Sequence, residues 1–79
     1  MTRTFTATLP DGTTATRNTK TARVYTHAVA RTYTTKDGDI RWCVETWCGS
    51  RVLAEKQAQY YRRYFRRSPE KKVLIVEAI

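Results

Sequence analysis

A chain of 79 residues supports one modest core and little spare stability, so a binding surface is easier to build than a deep enzyme pocket. Its composition, 41% hydrophobic and 11% aromatic, excludes a disordered chain. Its formal net charge of +8 favours nucleic acid, an anionic membrane or an acidic protein as partner. No apolar run approaches the roughly 20 residues that span a bilayer. The opening Met1-Thr2-Arg3-Thr4-Phe5 lacks the apolar stretch of a signal peptide. The expectation is a single domain over residues 1–79, in a cytoplasm (the host cytosol if phage-encoded), with no membrane partner.

Residues 3–9 alternate, with Phe5, Ala7 and Leu9 on one face and threonines on the other, which is the period of a strand. Pro10-Asp11-Gly12 supplies turn chemistry, so 13–17 reads as the return strand of a hairpin. Of fourteen threonines, thirteen precede residue 36, which suits solvated sheet faces. Residues 17–21 are polar and read as a loop. A long strand is predicted over 22–35, with Val24, Thr26, Ala28 and Ala30 on one face and Tyr25, His27, Val29, Arg31 and Tyr33 on the other.

Lys36-Asp37-Gly38-Asp39 predicts a second hairpin turn and a strand over 40–48. Strict alternation there gives each face one tryptophan and sets Cys43 and Cys48 on opposite faces, beyond disulfide reach. Gly49-Ser50 breaks the strand, with Ser50 as N-cap. A helix is predicted over 51–67, burying a stripe of Leu53, Ala54, Gln57, Ala58, Tyr61, Tyr64 and Phe65. Its end concentrates Arg62, Arg63, Arg66 and Arg67. These complement the helix dipole, but form like-charged i, i+4 pairs that an anionic partner would relieve. Ser68-Pro69 stops the helix, and the apolar run from Val73 makes a last strand over 72–78. The expected fold is α+β, an antiparallel sheet of four or five strands with one amphipathic helix packed on one face, in the order β-β-β-β-α-β.

Catalytic chemistry has no constellation here. His27 is the single histidine, the acids are scattered, and no phosphate loop, metal motif or nucleophile signature occurs, so neither an enzyme nor a cofactor or metal is expected. The basic and aromatic strand faces are the candidate site: Arg23, Tyr25, His27 and Arg31, with Arg41 and Trp47 on the hairpin partner, and Arg62, Arg63, Arg66 and Arg67 as phosphate contacts. Arginines read guanine and aromatics stack on bases. The sheet face bearing Val24, Ala28, Ala30, Trp42 and Val44 is expected to meet the helix. The reading is a non-enzymatic nucleic-acid-binding module, for DNA rather than RNA. The alternative is a protein-interaction module for an acidic host protein, or a homodimer, built on the tryptophans, the C-terminal strand and the helix tyrosines.

Trp47-x-Gly49-Ser50 followed by Ala54, Ala58 and Tyr61 resembles the strand–helix junction of AP2-type and integrase N-terminal DNA-binding domains. The resemblance implies a three-stranded antiparallel sheet against one helix, with Arg23, Tyr25, Arg31, Arg41 and Trp42 or Trp47 as DNA readers. It covers only part of the chain, which adds an N-terminal hairpin and a C-terminal strand. The chain as a whole is similar to small accessory proteins of actinobacterial phages, through Ala7-Thr8-Leu9-Pro10-Asp11-Gly12-Thr13, Thr26-His27-Ala28-Val29, Gly49-Ser50-Arg51 and Ala54-Glu55-Lys56. That similarity implies an accessory phage product acting inside a host.

Overall fold

The computed structural model describes residues 2–67 and 72–79. The architecture is α+β, with five antiparallel strands and one helix: β1 (Arg3–Thr8), β2 (Thr14–Thr19), β3 (His27–Thr34), β4 (Ile40–Cys48), α1 (Arg51–Tyr64) and β5 (Val73–Glu77). The strands do not form the single sheet expected. They divide into a three-stranded sheet, β4-β3-β5, and a separate β1-β2 pair. Alternation along a strand fixes which face a residue occupies and leaves its partner unspecified. Here β1 meets the chain just past β5 at one bridge, Ala7 opposite Ala78, held by two 2.9 Å backbone bonds between Thr6 and Ile79.

Both hairpin turns are built alike. The Leu9 N–H donates to the Thr13 carbonyl (2.8 Å) and the Gly12 N–H to the Leu9 carbonyl (2.9 Å); Thr35, Gly38 and Asp39 repeat this at 2.8 and 3.0 Å. Gly12 and Gly38 take φ of 88° and 85°, the left-handed region where a side chain is strained. Asp11 locks the first turn by accepting from the Thr13 amide (3.0 Å) and hydroxyl (2.6 Å).

β3 starts at His27, not Ala22. The preceding threonines direct their hydroxyls at the backbone instead of leaving it to a ladder: the Thr21 amide donates to Thr19 Oγ1 (3.2 Å) and the Arg23 amide to Thr21 Oγ1 (3.3 Å). The loop they shape passes the end of β4, where Gly49 leaves room for it. A Cβ on Gly49 would stand 3.3 Å from the Val24 carbonyl oxygen.

The β3–β4 register shifts between Val29 and Ala30: Val29 opposes Thr46 and Ala30 opposes Val44, so Glu45 is an extra residue in β4. This bulge reverses the face assignment in the last part of β4, after Glu45. Trp42 opposes Thr32 and Trp47 opposes Ala28, so both tryptophans share one face, contrary to the alternation. Cys43 and Cys48 oppose Arg31 and His27, so they share the other face and are free thiols.

Ala54 and Ala58 of α1 are fully buried in one cluster with Val29, Cys48 and Val73, and Tyr61, Phe65 and Ile75 pack against it. The helix therefore meets the Val29 face. The expected contact through Val24, Ala28 and Ala30 is replaced, and Val24 is 51% exposed. Ala28, Ala30 and Thr32 are buried on the opposite face. The Thr32 hydroxyl accepts from the Lys72 amide at 2.8 Å. The buried helical stripe is narrower than predicted, because alanines make the close contact while Leu53, Gln57 and Tyr64 are exposed. The helix ends at Tyr64, three residues early, with Phe65 as C-cap and its N–H reaching the Tyr61 and Arg63 carbonyls. The expected stop at Ser68 and Pro69 lies outside the described residues. Among the described residues no helix is long and apolar enough to cross a membrane.

At the other end Ser50 is the N-cap, its hydroxyl accepting from the Leu53 amide at 3.2 Å. Ser50→Ala should lower unfolding free energy by about 1 kcal/mol, and Ser50→Gly by only a few tenths. Urea denaturation of the two variants checks this; a Ser50→Ala protein as stable as the parent would show that the hydroxyl contributes nothing.

Candidate nucleic-acid interface

Arg23, Tyr25 and Trp47, distant in sequence, meet where the 20–26 loop crosses the end of β4. Tyr25 is buried to 8% exposure. Its ring packs edge-on against Phe5 (centroids 5.3 Å apart) and tilted against Trp47 (6.2 Å). The ring thereby joins the N-terminal hairpin to the three-stranded sheet. Arg17 on β2 lies opposite Phe5 in the hairpin register, and its guanidinium carbon stands 6.0 Å from the Tyr25 centroid.

Electrostatics at Tyr25 follow from these neighbours. The Arg23 side chain, and to a smaller extent Arg17, favours the ionised phenol and holds the Tyr25 hydroxyl below the ordinary tyrosine range, against the opposing effect of burial. Two guanidiniums beside one hydroxyl thus form a focus of positive potential. A cleft of about 230 Å³ runs over it, lined by Arg17, Arg23, Tyr25, Glu45, Thr46 and Trp47. Its one carboxylate, Glu45, is already engaged by Arg31.

The remaining predicted residues lie elsewhere. Arg31 pairs with Glu45, and its guanidinium carbon stands 5.5 Å from the Phe65 centroid, facing the helix instead of solvent. His27 is half-buried, with Nδ1 2.8 Å from the Thr26 hydroxyl. Arg41 is exposed opposite Tyr33, toward the far end of the β3–β4 hairpin. Arg62 donates to the Val73 carbonyl (3.3 Å), tying the helix to β5. Arg63, Arg66 and Arg67 are exposed. Beside them Tyr61, Tyr64 and Phe65 form an aromatic group, with Tyr61 and Phe65 stacked at 6.5 Å and Tyr64 edge-on to Phe65 at 5.1 Å. Burial pushes the Tyr61 hydroxyl above the ordinary range.

Sequence reasoning left Arg17 out of the site, placing it where the return strand over 13–17 meets the loop over 17–21. Pairing the hairpin about the Pro-Asp-Gly turn would have set it opposite Phe5. Among the described residues no group of three or more His, Cys, Asp or Glu is placed to hold a metal. Compared with known proteins, the chain matches no family model, no curated protein and no solved structure.

The two perturbed tyrosines should separate in an ultraviolet titration. Arg23 and Arg17 favour the phenolate, so Tyr25 ionises first and Tyr61 last. The Tyr25 contribution to stability is absent at neutral pH. It grows as pH rises through its lowered value and is complete above the unfolded tyrosine value. Tyr25→Phe should remove the earliest step of the curve and Tyr61→Phe the latest. Loss of a late step in Tyr25→Phe would contradict the arrangement of the arginines.

Proposed function

We propose that the protein is a small, basic, non-enzymatic nucleic-acid-binding module. The observation that carries this reading is the pair Arg17 and Arg23 flanking Tyr25 beside Trp47, in a cleft whose acid is neutralised from behind. Guanidiniums supply phosphate contacts, and aromatic rings supply stacking. Arg63, Arg66 and Arg67 extend the positive surface without specifying sequence. In this reading α1 is structural, a cover for the Val29 face, and Arg31 is an internal tie. The target is DNA in preference to RNA. The resemblance to phage accessory proteins implies action in a host cytoplasm.

Binding should appear at low salt, and the logarithm of the association constant should fall linearly with the logarithm of salt concentration. The slope is about −0.9 for each phosphate neutralised on duplex DNA. Arg23→Ala should flatten it by about one. Arg31→Ala should leave the slope unchanged, since Arg31 meets no phosphate, but should weaken binding at every salt concentration, because it leaves the Glu45 carboxylate unmatched in the cleft. Anisotropy titrations with labelled DNA measure all three. Absence of binding at low salt, or binding indifferent to salt, would falsify the reading.

The exposed side of α1 favours a second reading, a protein-interaction module for an acidic host protein or a second copy. Leu53, Tyr60 and Tyr64 are 51%, 61% and 72% exposed along one helix flank. It requires either self-association in sedimentation equilibrium, abolished by Tyr60→Ala with Tyr64→Ala, or a stoichiometric protein retained from nuclease-treated host lysate at high salt. A monomer that retains nothing rules it out.

A further inference from the structure

The arginine cleft does not stand alone. A second cleft of about 320 Å³ opens beside it and shares Arg23, Tyr25, Thr46 and Trp47. Its other walls differ in character. Val24, Leu53 and Cys48 add apolar surface to it, and Gln57 sits on its helix side. Val24 and Leu53 are each 51% exposed, so the apolar part of the slot is open to a ligand. One cleft is cationic and the next is an apolar slot with an amide at its side, joined through one aromatic pair. A nucleotide divides in the same way, into an anionic phosphate and a flat apolar base with a polar edge.

We infer that this double cleft is a subsite for an unpaired nucleotide, so that the protein binds single-stranded nucleic acid in preference to duplex. The phosphate lies between Arg17 and Arg23, near the Tyr25 hydroxyl. The base enters the slot against Trp47, and the Gln57 amide, which both donates and accepts, faces its polar edge. A duplex can offer phosphates to the two arginines. It cannot offer a base to the slot, because paired bases stay stacked inside the helix. The slot lies between a loop, a strand end and the first turns of α1, a concave site and not the projecting ribbon that reads a duplex groove. This inference rests on the nucleic-acid reading and narrows its target.

The test uses the full chain carrying Trp42→Phe, which leaves Trp47 as the only tryptophan. Oligothymidylate, oligouridylate and a mixed-sequence duplex of equal length are titrated at low salt, with Trp47 emission and anisotropy recorded together. Either single strand should bind about tenfold or more tighter than the duplex, the scale of one stacked base, and should quench Trp47. The two oligomers distinguish DNA from RNA as the source. Gln57→Ala, an exposed change that leaves the core intact, should weaken single-strand binding and leave duplex binding as it was. Duplex binding as tight as single-strand binding, no change in Trp47 emission, or an equal loss of both affinities in Gln57→Ala each overturns the inference while leaving the nucleic-acid reading in place. If neither strand nor duplex binds at low salt, both fall.

Discussion

The extra residue at Glu45 decides what each side of the central sheet carries. In an unbulged β4, one tryptophan would lie under the helix and the other outside, and Glu45 and Trp47 would share a face. The insertion turns the strand by one position. Trp42 and Trp47 then lie together on the Ala28 face, while the Val29 face receives small residues, Cys43, Thr46 and Cys48. That exchange allows the helix to approach. Ala54 and Ala58 can be fully buried against Val29 and Cys48 because no indole separates them. The same bulge turns the Glu45 carboxylate to Arg31, an otherwise costly cation beside the Tyr61 and Phe65 rings. Helix contact, charge pairing and tryptophan placement are three consequences of one register shift.

Tyr25 is the second constraint, and it follows from the first. The β1-β2 pair has one backbone bridge to the sheet, at Ala7 and Ala78. Side chains must fix its orientation. The Phe5–Tyr25–Trp47 series does so, each ring 5.3 to 6.2 Å from the next. It requires Trp47 on the Ala28 face, where the bulge puts it. Aromatic pairs of this kind contribute about 0.5–1.5 kcal/mol each beyond buried area, a useful sum where a single bridge is the alternative. The Thr13 hydroxyl and amide donate to the Asp11 carboxylate, hold it below the usual aspartate range and fix the turn. Phe5, Ala7 and Leu9 are buried along the hairpin.

What could be read from the sequence was local. Pro10-Asp11-Gly12 and Asp37-Gly38 specify turns through neighbours within four residues, and Ser50 caps the helix three residues from the amide it accepts. The order of elements follows from such signals. The bulge could not be read the same way. Val44-Glu45-Thr46 contains no glycine or other marker, and the shift exists only relative to β3. The late start of β3 was hidden because threonine suits both a strand and a hydroxyl turn; at Thr21, beyond the end of β2, the hydroxyls of Thr19 and Thr21 take the backbone amides that a ladder would otherwise use. The candidate site suffered from both gaps. Arg31 and Arg23 share a parity in the sequence, yet one belongs to the strand and the other to the loop, so they end on different sides of the molecule.

Charge distribution gives the divided basic residues a common sense. A surplus of +8 on 79 residues opposes compaction. The described carboxylates that form ion pairs, Glu45 and Glu55, serve Arg31 and Arg51. The first pair is a quarter exposed and supports the core; the second is a surface i, i+4 pair worth little. Neither relieves Arg17 and Arg23, which line one cleft with Tyr25, or the exposed arginines at the end of α1. Convergence of two guanidiniums is unfavourable in the free protein and becomes favourable when an anion enters between them. Repulsion held in place by the Phe5–Tyr25–Trp47 packing therefore works as pre-organisation. The rings that hold the hairpin also keep the arginines together, so on the proposed reading folding and ligand binding draw on the same contact.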